Sequence, residues 1–414
     1  MKQSSTSLTL ALSLAVYAAV LAIQLVTGAS ENLWFFLSSL LLVVTYSFSF
    51  VLVKQPIHLM SVTLTSCIFV ILFCAQFYFL SGSTLYPRAE DALLYHQIAL
   101  EAVNGGASFD STLKVQSIDY EDWLAPAYVF AIYHIDDAPA LVYLTNTILV
   151  GISGLVLYTT FRDQLDKWGQ AFYLTLPLNP LFFYMEVTLF KEALIILLLA
   201  VGVRSFYKSK VLIIIFCGVL LLLLRPIIPA IAMMAYIVFS ARYSLRSLRK
   251  GYIQIRSFPI QVILIIVFLT AGWTTFDVMI SRALGPVFTY HAGHPSLSQA
   301  PIWIAFLAST VTSFLGPIPR PLGAGEYSLQ TIYSFGALHL STYVLMNARN
   351  LSTNLIKAGA NYSILALFLL IQLTALAIIL RGFDPRFTSL AYLFYPIILT
   401  SRISKIKHRN TAKG

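Results

Sequence analysis

Apolar stretches close to the length of a bilayer crossing, about 20 residues, recur along this chain between short polar breaks. They fall at 8–28, 34–53, 58–80, 138–161, 170–184, 191–207, 211–224, 226–240, 258–276, 331–347, 360–380 and 387–401. The stretches flanking Asn179-Pro180 and Arg225-Pro226 are short. The first begins soon after Met1-Lys2, is long for the apolar core of a secretory signal, and is followed by others, so it is expected to persist as a helix. One more apolar stretch, 302–315, runs into Gly316-Pro317-Ile318-Pro319-Arg320-Pro321. As a crossing it would move every later loop to the other side. It is therefore expected to be re-entrant or interfacial, with its backbone buried in protein or lining a cavity. The pattern predicts an all-α, polytopic membrane protein with about twelve transmembrane helices. It forms a single transmembrane domain, 1–414, with extracytoplasmic segments at 81–137 and 277–330 and no repeat of fixed period.

Composition agrees and removes alternatives. Of 414 residues, 58% are apolar and only 11% charged, against about 25% charged in a soluble domain. A soluble enzyme, a disordered regulator and a nucleic-acid binder are excluded as readings, despite a net charge of +10. The sidedness of the charges explains that excess. With both termini cytoplasmic, 19 Lys/Arg fall on cytoplasmic segments and 8 outside, while the acids divide 2 and 15. The result is +17 inside and −7 outside, the orientation that basic cytoplasmic loops dictate. The basic clusters at 242–256 and 402–413 suit an anionic leaflet. Cys67, Cys74 and Cys217 all lie in apolar stretches without C-x-x-C spacing, so neither a disulfide framework nor a zinc site is expected.

The chemistry-bearing residues gather on the outer side. The polar stretch 80–139 holds nine acids and only two bases, Arg88 and Lys114. Its opening, Tyr86-Pro87-Arg88-Ala89-Glu90-Asp91-Ala92-Leu93-Leu94-Tyr95-His96, followed by Asn104-Gly105-Gly106, predicts a capped surface helix of about four turns. Helical spacing stacks Asp91 and Tyr95 on one face. Glu90 and Asp91 serve either as capping acids at a helix N-terminus or as reactive carboxylates. Beyond Pro180 come Glu186, Lys191 and Glu192 at the outer edge of two short stretches. They form a surface pair of Lys191 with Glu192 or Glu186, or they face a cavity, as charges near hydrocarbon usually do. Arg225 closes a run of leucines and is expected to meet water, a headgroup or an anion. Arg320, Glu326, Arg381 and Arg386 are also outside, against the basic-inside bias. A guanidinium there contacts a lipid headgroup or carboxylate, or grips phosphate oxygens in bidentate fashion. His291 and His294 in a Gly/Pro loop fit a solvated loop better than a metal site, which needs three or more ligands. No phosphate-binding G-x-x-x-x-G-K-[ST] loop occurs, and no metal site is assigned.

In order, the chain has Asp91-Ala92-Leu93-Leu94-Tyr95, then Pro126-Ala127-Tyr128-Val129-Phe130 before a stretch containing Asn146. Pro180 with Lys191-Glu192 follows, then the hairpin on Arg225-Pro226, and last Gly316-Pro317-Ile318-Pro319-Arg320 with Glu326. This order resembles bacterial integral-membrane glycosyltransferases of the GT-C superfamily, and equally polysaccharide polymerases of the Wzy and EpsG type, over about 85–330. The acidic loop follows the third apolar stretch here, whereas in GT-C enzymes it follows the first. The resemblance implies an undecaprenyl-(di)phosphate-linked sugar donor and a glycan acceptor at the periplasmic face of the bacterial inner membrane, in O-antigen, capsule or exopolysaccharide assembly. Asp91 or Glu90 would be the general base. Arg225, Arg320 and Lys191 would stabilise the leaving phosphate. Tyr95, His96, Glu192, Glu326 and Arg381 would bind substrate, with Tyr120 and Trp123 also placed to stack on sugar rings. A GT-C-like enzyme is compatible with a divalent metal on its acids, whereas a polymerase would rely on arginines. The alternative is a flippase or transporter of the same lipid-linked oligosaccharide. Twelve spans and a few broken helices suit it, but the polar residues lie on one side and no paired repeat is visible.

Overall fold

A computed structural model describes residues 90–105, 123–165, 167–179, 191–208, 210–225, 227–232 and 385–400, with positions 182, 185, 186, 189, 235 and 371. Among these residues the chain is all-helical, with no strand. In order come α1 (Glu90–Asn104), α2 (Leu124–Tyr133), α3 (Pro139–Phe161), α4 (Lys167–Leu174) and a 3-10 turn (Leu176–Leu178). Then follow α5 (Glu192–Tyr207), α6 (Val211–Leu224), α7 (Pro385–Tyr392) and α8 (Tyr395–Thr400). Of the described helices, one stretch, Leu141–Phe161 in α3, is long and apolar enough to cross a membrane.

The core is α3 packed against α5, with α6 on the far side of α5. α3 and α5 run in the same direction. Phe161 meets Tyr207 edge to face, and Arg204 Nη1 donates to Thr159 Oγ1 at 2.8 Å, joining their C-terminal ends. α6 returns antiparallel to α5, bringing Arg225 beside Glu192. The threonine and serine hydroxyls on α3 bond back to its own carbonyls. Thr145, Thr147, Ser153 and Thr160 donate to the carbonyls of Leu141, Tyr143, Leu149 and Val156, at 2.8, 2.9, 2.6 and 2.6 Å. That lets polar side chains occupy an apolar helix without a water partner.

Two expected spans are not single helices. In 170–184, α4 stops at Leu174, a 3-10 turn covers Leu176–Leu178, and Asn179 is extended. Pro177 has no N–H and its ring would clash with the carbonyl of residue i−4, here Tyr173. In 387–401 the break falls at Leu393 and Phe394, between α7 and α8. Pro396 explains it in the same way, through the carbonyl of Tyr392. The two broken elements are joined, because the Tyr173 hydroxyl donates to the Leu393 carbonyl at 2.7 Å. α4 also lies very close to α3. A Cβ on Gly154 would stand 2.2 Å from the Tyr173 carbonyl oxygen and 3.1 Å from Leu176 Cβ. Only a glycine fits that crossing.

α1 is a helix where the sequence predicts one. Its Ala92, Tyr95, Ile98, Ala99 and Ala102 are buried, and it packs along α2. α2 was not expected from the sequence, which placed it inside one polar stretch; its inward residues are Ala125, Pro126, Val129, Ile132 and Tyr133. The expected spans 8–28, 34–53, 58–80, 258–276 and 331–347, and the segment 277–330, lie outside the described residues.

Candidate functional site

Ionisable groups on the α3–α5–α6 array gather at its two ends. One end carries Arg162, Asp163, Arg204, Lys208 and Lys210, with Arg162 and Asp163 paired at 3.4 Å in the open. The other carries Glu186, Lys191, Glu192 and Arg225, and there three of the four are fully or almost fully buried. Between the ends α5 and α6 are apolar.

The second end is built by helix termini. α6 ends because Arg225 turns to an extended backbone, with its N–H still bonded to the Leu221 carbonyl at 2.8 Å. α5 begins at Glu192, one residue after Lys191. A cation at a helix C-terminus and an anion in a first turn are each favoured by the helix dipole. Here the two termini are neighbours. Arg225 Nη2 lies 3.1 Å from Glu192 Oε1, with the side chains 12% and 0% exposed. Of the contacts expected for Arg225, water, a headgroup or an anion, the structure shows an anion, a carboxylate of its own chain. Lys191, Glu192 and Glu186, expected either as a surface pair or facing a cavity, are all buried rather than on the surface, and Glu192 lies within ion-pair distance of Arg225.

Glu186 is different. Its side chain is completely buried, and neither carboxylate oxygen has a hydrogen-bond partner among the described residues. The polar side chain beside it is Thr147, whose hydroxyl hydrogen is already given to the Tyr143 carbonyl. Glu186 lies between the apolar stretches 170–184 and 191–207. Burial pushes its carboxyl well above the usual carboxylate range, and Thr147 opposes this only in part. Next to it, Asn146 on α3 is fully buried and works as a strut. Its Oδ1 accepts from the Tyr128 hydroxyl at 2.8 Å, and its Nδ2 reaches the Met185 carbonyl at 3.4 Å. The strut ties α2 and the residue preceding Glu186 to α3.

α1 is attached to this end through α2. His96 Nδ1 and the Tyr133 hydroxyl are 2.7 Å apart, with the rings edge to face. Partial burial lowers the His96 pKa, more than the nearby Asp137 raises it. Tyr95 is buried, with 3% of its surface exposed. Trp123 remains exposed. Glu90 and Asp91 occupy the first turn of α1, with Asp91 one turn before Tyr95 in the register. Arg320, Glu326 and Arg381 lie outside the described residues. Among the described residues no group of three His, Cys, Asp or Glu side chains is arranged to hold a metal.

The structure thus brings together Lys191, Glu192 and Arg225 of the expected site, and adds Glu186, Asn146, Thr147 and Tyr128. The signal for Asn146 and Thr147 was two adjacent polar residues inside a long apolar stretch; for Glu186 it was an acid just beyond a Pro-broken one. Comparison with known protein families, with curated proteins and with solved structures found no match.

Proposed function

We propose that this chain is a multi-pass membrane enzyme of glycosyl transfer, with about twelve spans and both termini cytoplasmic, in a bacterial inner membrane. It takes an undecaprenyl-(di)phosphate-linked sugar at the outer face and passes the sugar to a glycan acceptor, as a single-sugar transferase or a polymerase. The observation that carries the reading is the buried Glu192–Arg225 pair, with Lys191 beside it in the chain, at one end of an apolar helix array. A guanidinium held in a low-dielectric setting stabilises charge growing on a leaving phosphate far better than one in water. In this scheme Arg225 exchanges its resident carboxylate, Glu192, for the phosphate. Asp91 or Glu90 on α1 takes the proton of the acceptor hydroxyl, and the His96–Tyr133 and Tyr128–Asn146 bonds hold α1 and α2 against the array. The outer face of α6 supports membrane residence: Leu212, Ile215, Phe216 and Val219 form one helical stripe, with Leu212 83% and Phe216 62% exposed.

The test is the surface glycan profile of cells carrying Arg225→Lys or Asp91→Asn, with membrane accumulation of each variant measured in parallel. Loss of polymer from normally accumulating protein is the expected result. Full-length polymer from both variants refutes the assignment. A transporter of the lipid-linked unit is the second reading. Glu186 favours it, since a carboxyl buried in a membrane protein commonly marks an ion path. Accumulation of lipid-linked units facing the cytoplasm would select it.

A further inference from the structure

An ionised carboxylate is an acceptor only and needs donors for its lone pairs. Without them, burying the charge is strongly unfavourable, and such a group takes up a proton instead. Glu186 is in that position. Both of its oxygens are buried without a hydrogen-bond partner among the described residues. The Thr147 hydroxyl beside it donates to the Tyr143 carbonyl at 2.9 Å, and what it offers Glu186 offsets the burial only in part. Among the described residues the other titratable groups at this end include Tyr128 on α2, Tyr143 on α3, Lys191 and Glu192 at the start of α5, and Arg225 at the end of α6. The Tyr128 hydroxyl is bonded to Asn146, and Arg225 is paired with Glu192. Asn146 directs its Nδ2 to the Met185 carbonyl.

We propose that Glu186 is a proton-binding site: its carboxyl carries a proton in the resting protein and releases it when a polar ligand or water enters this end of the array. In the release step the O–H bond of the acid breaks, the proton passes to the entering oxygen, and the negative charge stays on the carboxylate. The entering group solvates that charge. The site goes beyond the glycosyl-transfer reading and does not depend on it, because a proton-loaded carboxyl serves a transferase and a transporter alike.

The experiment is an infrared comparison of the full-length protein in lipid vesicles with its Glu186→Gln and Glu186→Asp variants, near neutral pH. The expected result is a C=O stretch of a protonated carboxylic acid that is present in the wild type, shifts in deuterated water, moves in the Asp variant and is missing from the Gln variant. Loss of a carboxylate band pair from the Gln variant, with no change in the acid region, overturns the proposal. If the Gln variant fails to accumulate, the Asp comparison decides alone: a shifted acid band supports the site and shifted carboxylate bands refute it. A second readout is labelling of the wild type with dicyclohexylcarbodiimide. The protonated acid adds across a C=N bond, its proton goes to the carbodiimide nitrogen, and acyl migration leaves an N-acylurea with no group lost. An adduct mapped to Glu186 that declines as the pH rises supports the proposal. An adduct on Glu192 in place of Glu186 contradicts it.

Discussion

The Glu192–Arg225 pair permits a quantitative test of what holds the α5–α6 hairpin together. At 3.1 Å and an effective dielectric constant of about 20, the attraction between unit charges is on the order of 5 kcal/mol. Removing two ions from water costs several kcal/mol each, so the pair as a whole adds little net stability. The asymmetry lies in breaking it. Glu192→Ala leaves a guanidinium that is 12% exposed without its carboxylate, and Arg225→Ala leaves a carboxylate with no exposure at all. Each single change should cost about 3–5 kcal/mol. The double variant Glu192→Leu/Arg225→Met removes both charges while filling similar volume, and should recover most of that loss. The assay is chemical or thermal unfolding of the purified protein in detergent, followed by a tertiary-structure signal, for the wild type, both single variants and the double. A coupling energy of about 2–3 kcal/mol is expected. Single variants that cost less than about 1 kcal/mol, or a double variant no better than the worse single, would refute the view of this pair as buried and mutually dependent. The same double variant separates folding from chemistry, because it should accumulate in the membrane yet make no polymer.

Gly154→Ala should destabilise by about 3 kcal/mol or more, since its Cβ would stand 2.2 Å from a backbone carbonyl that cannot rotate away; unfolding in detergent checks this. Tyr173→Phe removes the bond to Leu393 and should cost about 1–2 kcal/mol, with faster hydrogen exchange at 390–400 as its local signature. The raised pKa of Glu186 makes its proton tighter in the folded than in the unfolded chain. Its contribution to stability is therefore complete below the unfolded pKa and is lost as the pH rises toward the folded one, by up to about 1.4 kcal/mol per pH unit. Glu186→Gln should remove that slope, so the stability of the variant relative to wild type should improve as the pH rises from the unfolded pKa toward the folded one. A constant difference across that range would refute the linkage.

Where continuous periodicity or a cap governed an element, the sequence was sufficient. The predicted 211–224 is observed as Val211–Leu224, and 138–161 as Pro139–Phe161. The helix from Pro87 and two acids to Asn104-Gly105 is Glu90–Asn104. Breaks within apolar runs were harder, because hydropathy does not change across them. The information sat in Pro177 and Pro396, whose missing N–H ends a helix without altering its apolar character. α2 was hidden for the opposite reason, as ten residues of apolar helix flanked by the acids at 119–122 and 136–137. At the site, spacing placed Lys191, Glu192 and Arg225 on one side but could not show that two helix termini meet. That contact gave Arg225 a carboxylate of its own chain, while both Glu186 oxygens are left without a hydrogen-bond partner among the described residues.

The lengths of the helices carry a last consequence. At 1.5 Å per residue, the 23 residues of α3 extend about 34 Å. The 16 of α5 and 14 of α6 reach only about 24 and 21 Å, against a hydrocarbon thickness of about 30 Å. On the membrane reading proposed above, lipid beside the hairpin must thin by several ångströms to match it. Headgroups there would dip toward the level of Arg225. A long-chain phosphate lipid diffusing along that thinned rim would reach the arginine without first lifting its charge out of the interface. The shortness of α5 and α6 would thus shape an entry path through the bilayer itself.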